Sequence, residues 1–207
     1  MDIANFVNKP EKIREIEQVL LAEFNQMCNL LPAELSEPFR NHAYIAGGCI
    51  YSLYNDLVVH DYDFFLDDFN ILEQILHYFE ASEFTVRYGN NIFITENAIT
   101  IGKHQIIVKY FGKPADVLGH FDFHHNMFAF VDNRIIAYDH WYYLDSNDLS
   151  FNQGRARDLL GVLFRVPKFV KRGMDINVTE AKKIILSLHD DDIDEEDIKV
   201  FKKYKSY

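Results

Sequence analysis

The chain has 207 residues, 48% of them hydrophobic and 26% charged, with only 9 Gly and 5 Pro. That composition excludes a disordered, collagenous or linker protein and is enough to build a core without staples. A formal charge of −11, from 32 acidic and 21 basic residues, excludes a general coat for duplex DNA, because such binding rests on neutralising phosphates with Lys and Arg.

In chain order, Ile13, Ile16, Leu20, Phe24, Met27 and Leu31 recur at steps of three and four. The spacing predicts an amphipathic helix over 10–31, opened by Pro10 and ended by Pro32. Residues 33–42, interrupted by Pro38, read as a loop or short helix. Tyr44 to Ala46 is a short strand; Gly47 and Gly48 break it, and a helix over 49–54 starts directly at the glycines. A strand over 61–66 precedes a helix over 69–80, where Ile71, Ile75, Leu76 and Phe79 share a face. Strands are expected at 84–88, 91–95, 98–101 and 104–110, then a short helix at 115–118 and a strand at 121–125. A hairpin joins 127–131 to 134–138 around Asp132 and Asn133. Past residue 140 no strand is expected, and helices fall at 153–171, 179–188 and 192–204. The expected fold class is α+β: a mixed sheet flanked by helices over residues 1–140, with the helix 10–31 packed on it, and an all-helical tail over 141–207. The acidic run from His189 to Asp197 lacks the turn glycine and acid spacing of a calcium loop and reads as a solvated helix N-terminus.

Cys28 and Cys49 show no metal-binding spacing, no cationic leader precedes an apolar run, and no apolar stretch approaches the roughly 18 residues of a membrane span. The expectation is a reducing compartment, the cytoplasm, with no membrane partner.

The chemistry concentrates in two segments, Ala43-Tyr44-Ile45-Ala46-Gly47-Gly48-Cys49-Ile50 and His60-Asp61-Tyr62-Asp63-Phe64-Phe65-Leu66. A strand that ends in two glycines and turns into a helix offers backbone N–H groups that a phosphate can approach closely. Asp61 and Asp63, two apart on a strand, point to one face. Such a like-charge pair beside apolar neighbours is costly unless a cation lies between, and Mg²⁺ favours one or two carboxylates plus substrate phosphates. Phe121-Asp122-Phe123 supplies a third acid, as a two-metal site requires.

This combination resembles the DNA polymerase β-type nucleotidyltransferase superfamily, whose pattern is a Gly-Gly or Gly-Ser turn, an acid-x-acid strand, and a single acid between hydrophobics on a later strand. The likeness covers roughly residues 43–138. Its Gly-Gly-Cys-Ile turn is similar to the head domains of poly(A) polymerases and CCA-adding enzymes, and to small stand-alone members met in phage and bacterial genomes. The resemblance implies a nucleotidyltransferase-type sheet and transfer of an NMP from an NTP such as ATP to an acceptor hydroxyl, with release of pyrophosphate. It implies Mg²⁺, or Mn²⁺ in its place, held by Asp61, Asp63 and Asp122, with Asp122 also helping to deprotonate the acceptor. Gly47 and Gly48 would meet the β- and γ-phosphates, with Cys49 standing where the Gly-Ser variant has its serine. An RNA 3′ end, tRNA in particular, is the first expected acceptor and a protein side chain the second.

Arg165, Lys168 and Arg172 fall on one face of the tail helix, which also carries Arg155 and Arg157. By resemblance Arg165 and Lys168 contact the nucleotide; a solvated charged face is the other reading. His120, His124 and His125 surround Asp122 without a zinc framework, and His124 is expected to share a strand face with Asp122 and pair with it, contact with substrate being the other reading. Tyr138, Trp141, Tyr142 and Tyr143 are expected to pack tail onto head, stacking on a base being the other reading. Tyr51-Ser52 stands where CCA-type enzymes commonly carry Arg-Asp, which admits an alternative: a catalytically inactive binding or assembly protein of the same fold, such as a viral component.

Overall fold

The computed structural model describes residues 8–80, 92–154 and 158–190. The strand expected at 84–88, the helix expected at 192–204, and Arg155 and Arg157 lie outside the described residues.

Helix α1 (Pro10–Leu30) buries Ile13, Ile16, Leu20, Phe24 and Met27, the predicted stripe, and α2 (Ala33–His42) follows after Pro32. Pro38 sits inside α2, where it forfeits one backbone bond; burial of Leu35 and Phe39 on the same helix offsets that loss. Next come β1 (Ala43–Ala46), α3 (Gly48–Tyr54), β2 (Tyr62–Leu66) and α4 (Phe69–Glu80). Strands β3 (Ile92–Ile94), β4 (Ala98–Ile101) and β5 (His104–Ile107) precede α5 (Pro114–Leu118). The hairpin is β6 (Phe128–Val131) and β7 (Arg134–Ala137). Its turn residues Asp132 and Asn133 have φ of 49° and 63°, the positive pair that a type I′ turn demands. Two helices end the described chain, α6 (Leu159–Val170) and α7 (Val178–Asp190).

The strands form one seven-stranded mixed sheet in the order β3-β4-β5-β2-β1-β6-β7. Within it β2 pairs parallel with β5, and the other pairings are antiparallel. The fold is α+β with a helical C-terminal region. Alternate residues of the central strands enter different clusters. Ile45, Phe64, Leu66, Phe128 and Phe130 join the large core under α1, α2 and α4, which extends as far as Ile184 of α7. Tyr44, Ala46, Phe65 and Ala129 form a smaller cluster with Val117 and Leu118 of α5.

Two expected elements differ. Residues 121–125 are not a strand: Phe123 makes an isolated bridge to Phe151, and His124–Asn126 is one turn of 3₁₀ helix. The cause lies in Asn152, which donates through its side chain to the carbonyls of Gly119 and Phe121 and through its backbone N–H to that of Asp122. The segment thus satisfies its carbonyls on the tail, and sheet pairing resumes only at Phe128. The first tail helix begins at Leu159, not 153, because Asp158 caps it. No helix among the described residues is long and apolar enough to cross a membrane.

Candidate active site

Strand β1 delivers the chain to Gly47, whose φ of 99° and ψ of −155° are a conformation that L side chains rarely adopt. Its N–H donates to the carbonyl of Phe128, and its carbonyl accepts from Ile50, so the turn is locked between sheet and helix. A methyl at Gly47 would lie 3.6 Å from the Phe121 ring and 3.7 Å from Asp63 Oδ2, both ordinary contacts; backbone conformation, not crowding, selects glycine here. At Gly48 a methyl would approach Asn126 Oδ1 to 3.2 Å. Cys49, in the first turn of α3, is buried, and burial followed by the charge of Asp63 raises its thiol well above the usual range.

Asp63 sits on the central strand, opposite Ala46 on one side and Gln105 on the other. Ala46 in turn faces Ala129. These two small residues leave space over the sheet where the carboxylate emerges. No hydrogen bond reaches the Asp63 carboxylate among the described residues. Burial, then the charge of Asp61, raise it to about 7, against a smaller opposing pull from Lys168. Asp61 precedes β2 and is exposed. Lys168, from α6, is itself lowered by desolvation and by Arg172, and held up in part by Asp61 and Asp63. The two carboxylates and the ammonium are therefore coupled across the strand start.

Asp122 is engaged differently. It is buried, and its Oδ2 accepts from Nε of Arg165 in a close ion pair. Nη2 of the same guanidinium donates to Oδ2 of Asp158 at 2.9 Å. Burial pulls the Arg165 pKa down, but the two carboxylates outweigh it and raise it. Asp158 takes a left-handed φ of 52°, and its Oδ1 accepts from Gly161 N at 3.1 Å as the cap of α6. His124 does not pair with Asp122, as the strand reading expected; with the segment folded into a 3₁₀ turn, its ring stacks on Tyr143 and its Nδ1 lies 3.2 Å from Asp139.

Two adjoining clefts share Gly48, Asp63, Asn126 and Phe169 as their divide. One, about 350 Å³, also takes in Gly47, Asp122, Asp158, Arg165 and Lys109. The other, about 150 Å³, takes in Cys49, Asp61, Lys168 and Arg172. All eight predicted site residues thus line one cleft or the other. Four acids and four Lys or Arg side chains face this space, so an entering anion meets a nearly balanced field.

The fit to a divalent cation follows from these facts. Asp61 and Asp63 are a repelling pair, and the Asp63 carboxylate has no hydrogen-bonded partner among the described residues; a cation of hard oxygen preference suits them. Among the described residues no group of three or more His, Cys, Asp or Glu side chains comes together to hold a metal ion, and Asp122 faces Arg165. Asp158 and Asn126 are among the cleft residues that escaped the sequence reading. Asp158 fell inside a helix begun too early, although an Asp three residues before a glycine and ahead of an apolar run is a capping signal. Asn126 carries no signal at all, since a bend brings it under Gly48.

Residues 18–149 match the Gabija anti-defense 2 family, and the chain belongs to that family. No curated protein matches it. Among solved structures, a Thermotoga maritima CCA-adding enzyme complexed with tRNA is similar over 77% of this chain and 43% of its own, with 14% identity and a TM-score of 0.47. An apo form of a tRNA-processing enzyme is similar over 89% of this chain and 49% of its own, with 16% identity and a TM-score of 0.47. The chain spans about half the length of these proteins.

Proposed function

We propose that the chain is a metal-dependent nucleotidyltransferase serving an anti-defence role in the cytoplasm, moving an NMP from an NTP to an acceptor hydroxyl. The observation that carries this is Asp63: a carboxylate beside a diglycine turn, coupled to Asp61, held near neutrality and without a hydrogen-bonded partner among the described residues, at the divide of two charge-lined clefts. Such a group is expensive to keep and is put to use when a cation and phosphates enter. A bound Mg²⁺ or Mn²⁺ at Asp61 and Asp63 supplies charge neutralisation of the phosphates. Gly47 and Gly48 let the phosphate chain approach the backbone, and Lys168 and Arg165 face it from the tail. The acceptor oxygen attacks the α-phosphorus as the bond to the β-phosphate oxygen breaks, pyrophosphate leaves, and the hydroxyl proton passes to Asp122. Catalysis is then mostly positioning and electrostatics.

An RNA 3′ end, tRNA foremost, is the first acceptor to test. The family name adds a protein of the Gabija defence as the second. Incubation with each α-labelled NTP, Mg²⁺ or Mn²⁺, total RNA and lysate from cells bearing that defence reads both. Label on RNA or protein that disappears in Asp63→Asn supports the proposal; label retained in Asp63→Asn refutes the site.

A second reading has its own observation. The Asp122–Arg165 pair keeps the third acid on a guanidinium, which suits a fold that binds its partner without transferring anything. NTP binding with no labelled product under any condition would favour it.

A further inference from the structure

Asp158 does more than its helix cap requires. A cap needs one side-chain oxygen, and Asn, Ser or Thr serve as well as Asp. Here Oδ1 makes the cap to Gly161 N while Oδ2 of the same carboxylate holds Nη2 of Arg165 at 2.9 Å, and the residue accepts a left-handed backbone to do so. Gly161 is part of the arrangement: a methyl there would fall 2.3 Å from both carboxylate oxygens, so the glycine is what lets the carboxylate lie over the helix start. On the other edge of the guanidinium, Asp122 takes Nε. Among the described residues, two carboxylates thus hold one guanidinium inside the larger cleft. Recognition of phosphate by arginine uses these same N–H edges.

We infer that Asp158 is a positioning residue acting through Arg165: with Asp122 it latches the guanidinium, and an incoming polyphosphate must take Arg165 away from these carboxylates to bind. The inference rests on the nucleotide-binding reading above and adds a built-in brake to that site. Asp158 sets affinity without touching the reacting atoms, and it couples α6 to occupancy of the cleft, because the carboxylate that gives up Arg165 is the one that caps the helix.

The test is calorimetric titration of the full chain with inorganic tripolyphosphate in EDTA, and with each NTP in Mg²⁺. Asp158→Asn keeps the cap and removes the competing charge, so it should bind tripolyphosphate about two- to fivefold more tightly than the unmodified chain, in the range expected for loss of one part-exposed ion pair. Gly161→Ala, which pushes the carboxylate aside by contact, should shift affinity in the same direction. Arg165→Met should weaken binding at least tenfold although the latch is gone. A purely structural cap predicts no gain: Asp158→Asn unchanged in both melting temperature and affinity, and Asp158→Ala merely less stable. Binding by the unmodified chain with equal or weaker binding by Asp158→Asn overturns the latch and leaves the nucleotide reading standing. No binding by any variant overturns both.

Discussion

The two faces of the central sheet are built from the same few strands and could hardly differ more. Under α1, α2 and α4, the rings of Phe24, Phe39 and Phe64 meet at 5.7–5.9 Å, with Ile45 and Leu66 fully buried among them. One residue along in each strand, the opposite face carries Ala46, Ala129 and the carboxylate of Asp63. Alternation lets one strand both hold the core together and leave a charged group over a hollow. The packed face stabilises the fold; the hollow face costs stability in exchange for a site.

The largest expected effect breaks the hollow face. Asp63→Asn should lower nucleotidyl transfer by about 10³-fold or more, ~4 kcal/mol of barrier, with far-UV circular dichroism unchanged. Initial rates with labelled NTP check this, and full activity would detach the carboxylate from the chemistry. Next, Phe64→Ala on the packed face should cost ~3–5 kcal/mol, read by urea denaturation, because the ring is completely buried among other rings. A loss below ~1 kcal/mol would mean the two faces are less distinct than they look.

A pH comparison sharpens the contrast further. Asp63 is raised by burial and by Asp61 to about 7, so the folded chain binds its proton more tightly than the unfolded one, and stability falls as pH rises from about 4 to 7. His125, within the packed region, is pressed down to about 3 by desolvation and then by Arg172 and His124. Its ring lies against Phe169 and Tyr51, with neither nitrogen hydrogen-bonded among the described residues. The unfolded chain takes that proton more readily, so this contribution falls as pH drops from about 6.5 toward 3. The two slopes oppose each other. Each is at most about 1.4 kcal/mol per pH unit for one proton, and smaller at Asp63, which water partly screens. Asp63→Asn should therefore make the slope of stability with pH across 4–6.5 more positive than in the unmodified chain, and His125→Phe should make it more negative. Melting curves at several pH values decide it, and parallel profiles for the two variants would sink the pairing. The smallest effect is at the turn: Gly47→Ala should lower stability by ~1–2 kcal/mol through its positive φ alone, with no repacking of Phe121.

How much of this was legible follows the range of each cause. The stripe from Ile13 to Met27, the face of α4 and the Asp132-Asn133 turn are set by neighbours three or four residues away, and the sequence carries them openly. Gly47, Gly48, Asp61 and Asp63 could be read as a unit because strand, turn and strand are consecutive. Asp122 was recognisable as an acid among aromatics, yet its backbone is decided by Asn152 and its charge partner by Arg165. Nothing local to Phe121-Asp122-Phe123 announces either. The latch of Asp158 was hidden for the same reason, since it needs a helix start, a glycine and an arginine to agree.

That dependence on the tail has a bearing on biosynthesis. Asn152 bonds three backbone groups of residues 119–122, Phe151 N–H donates to the buried carboxylate of Glu180 at 2.8 Å, and Glu180 is braced by Lys183. A nascent polypeptide that has emerged as far as the hairpin owns both glycines and all of β2, but it has no fixed place for Asp122. The clefts take the form described only with α7 in place, because Glu180 holds Phe151 and Asn152 beside it holds the backbone that carries Asp122.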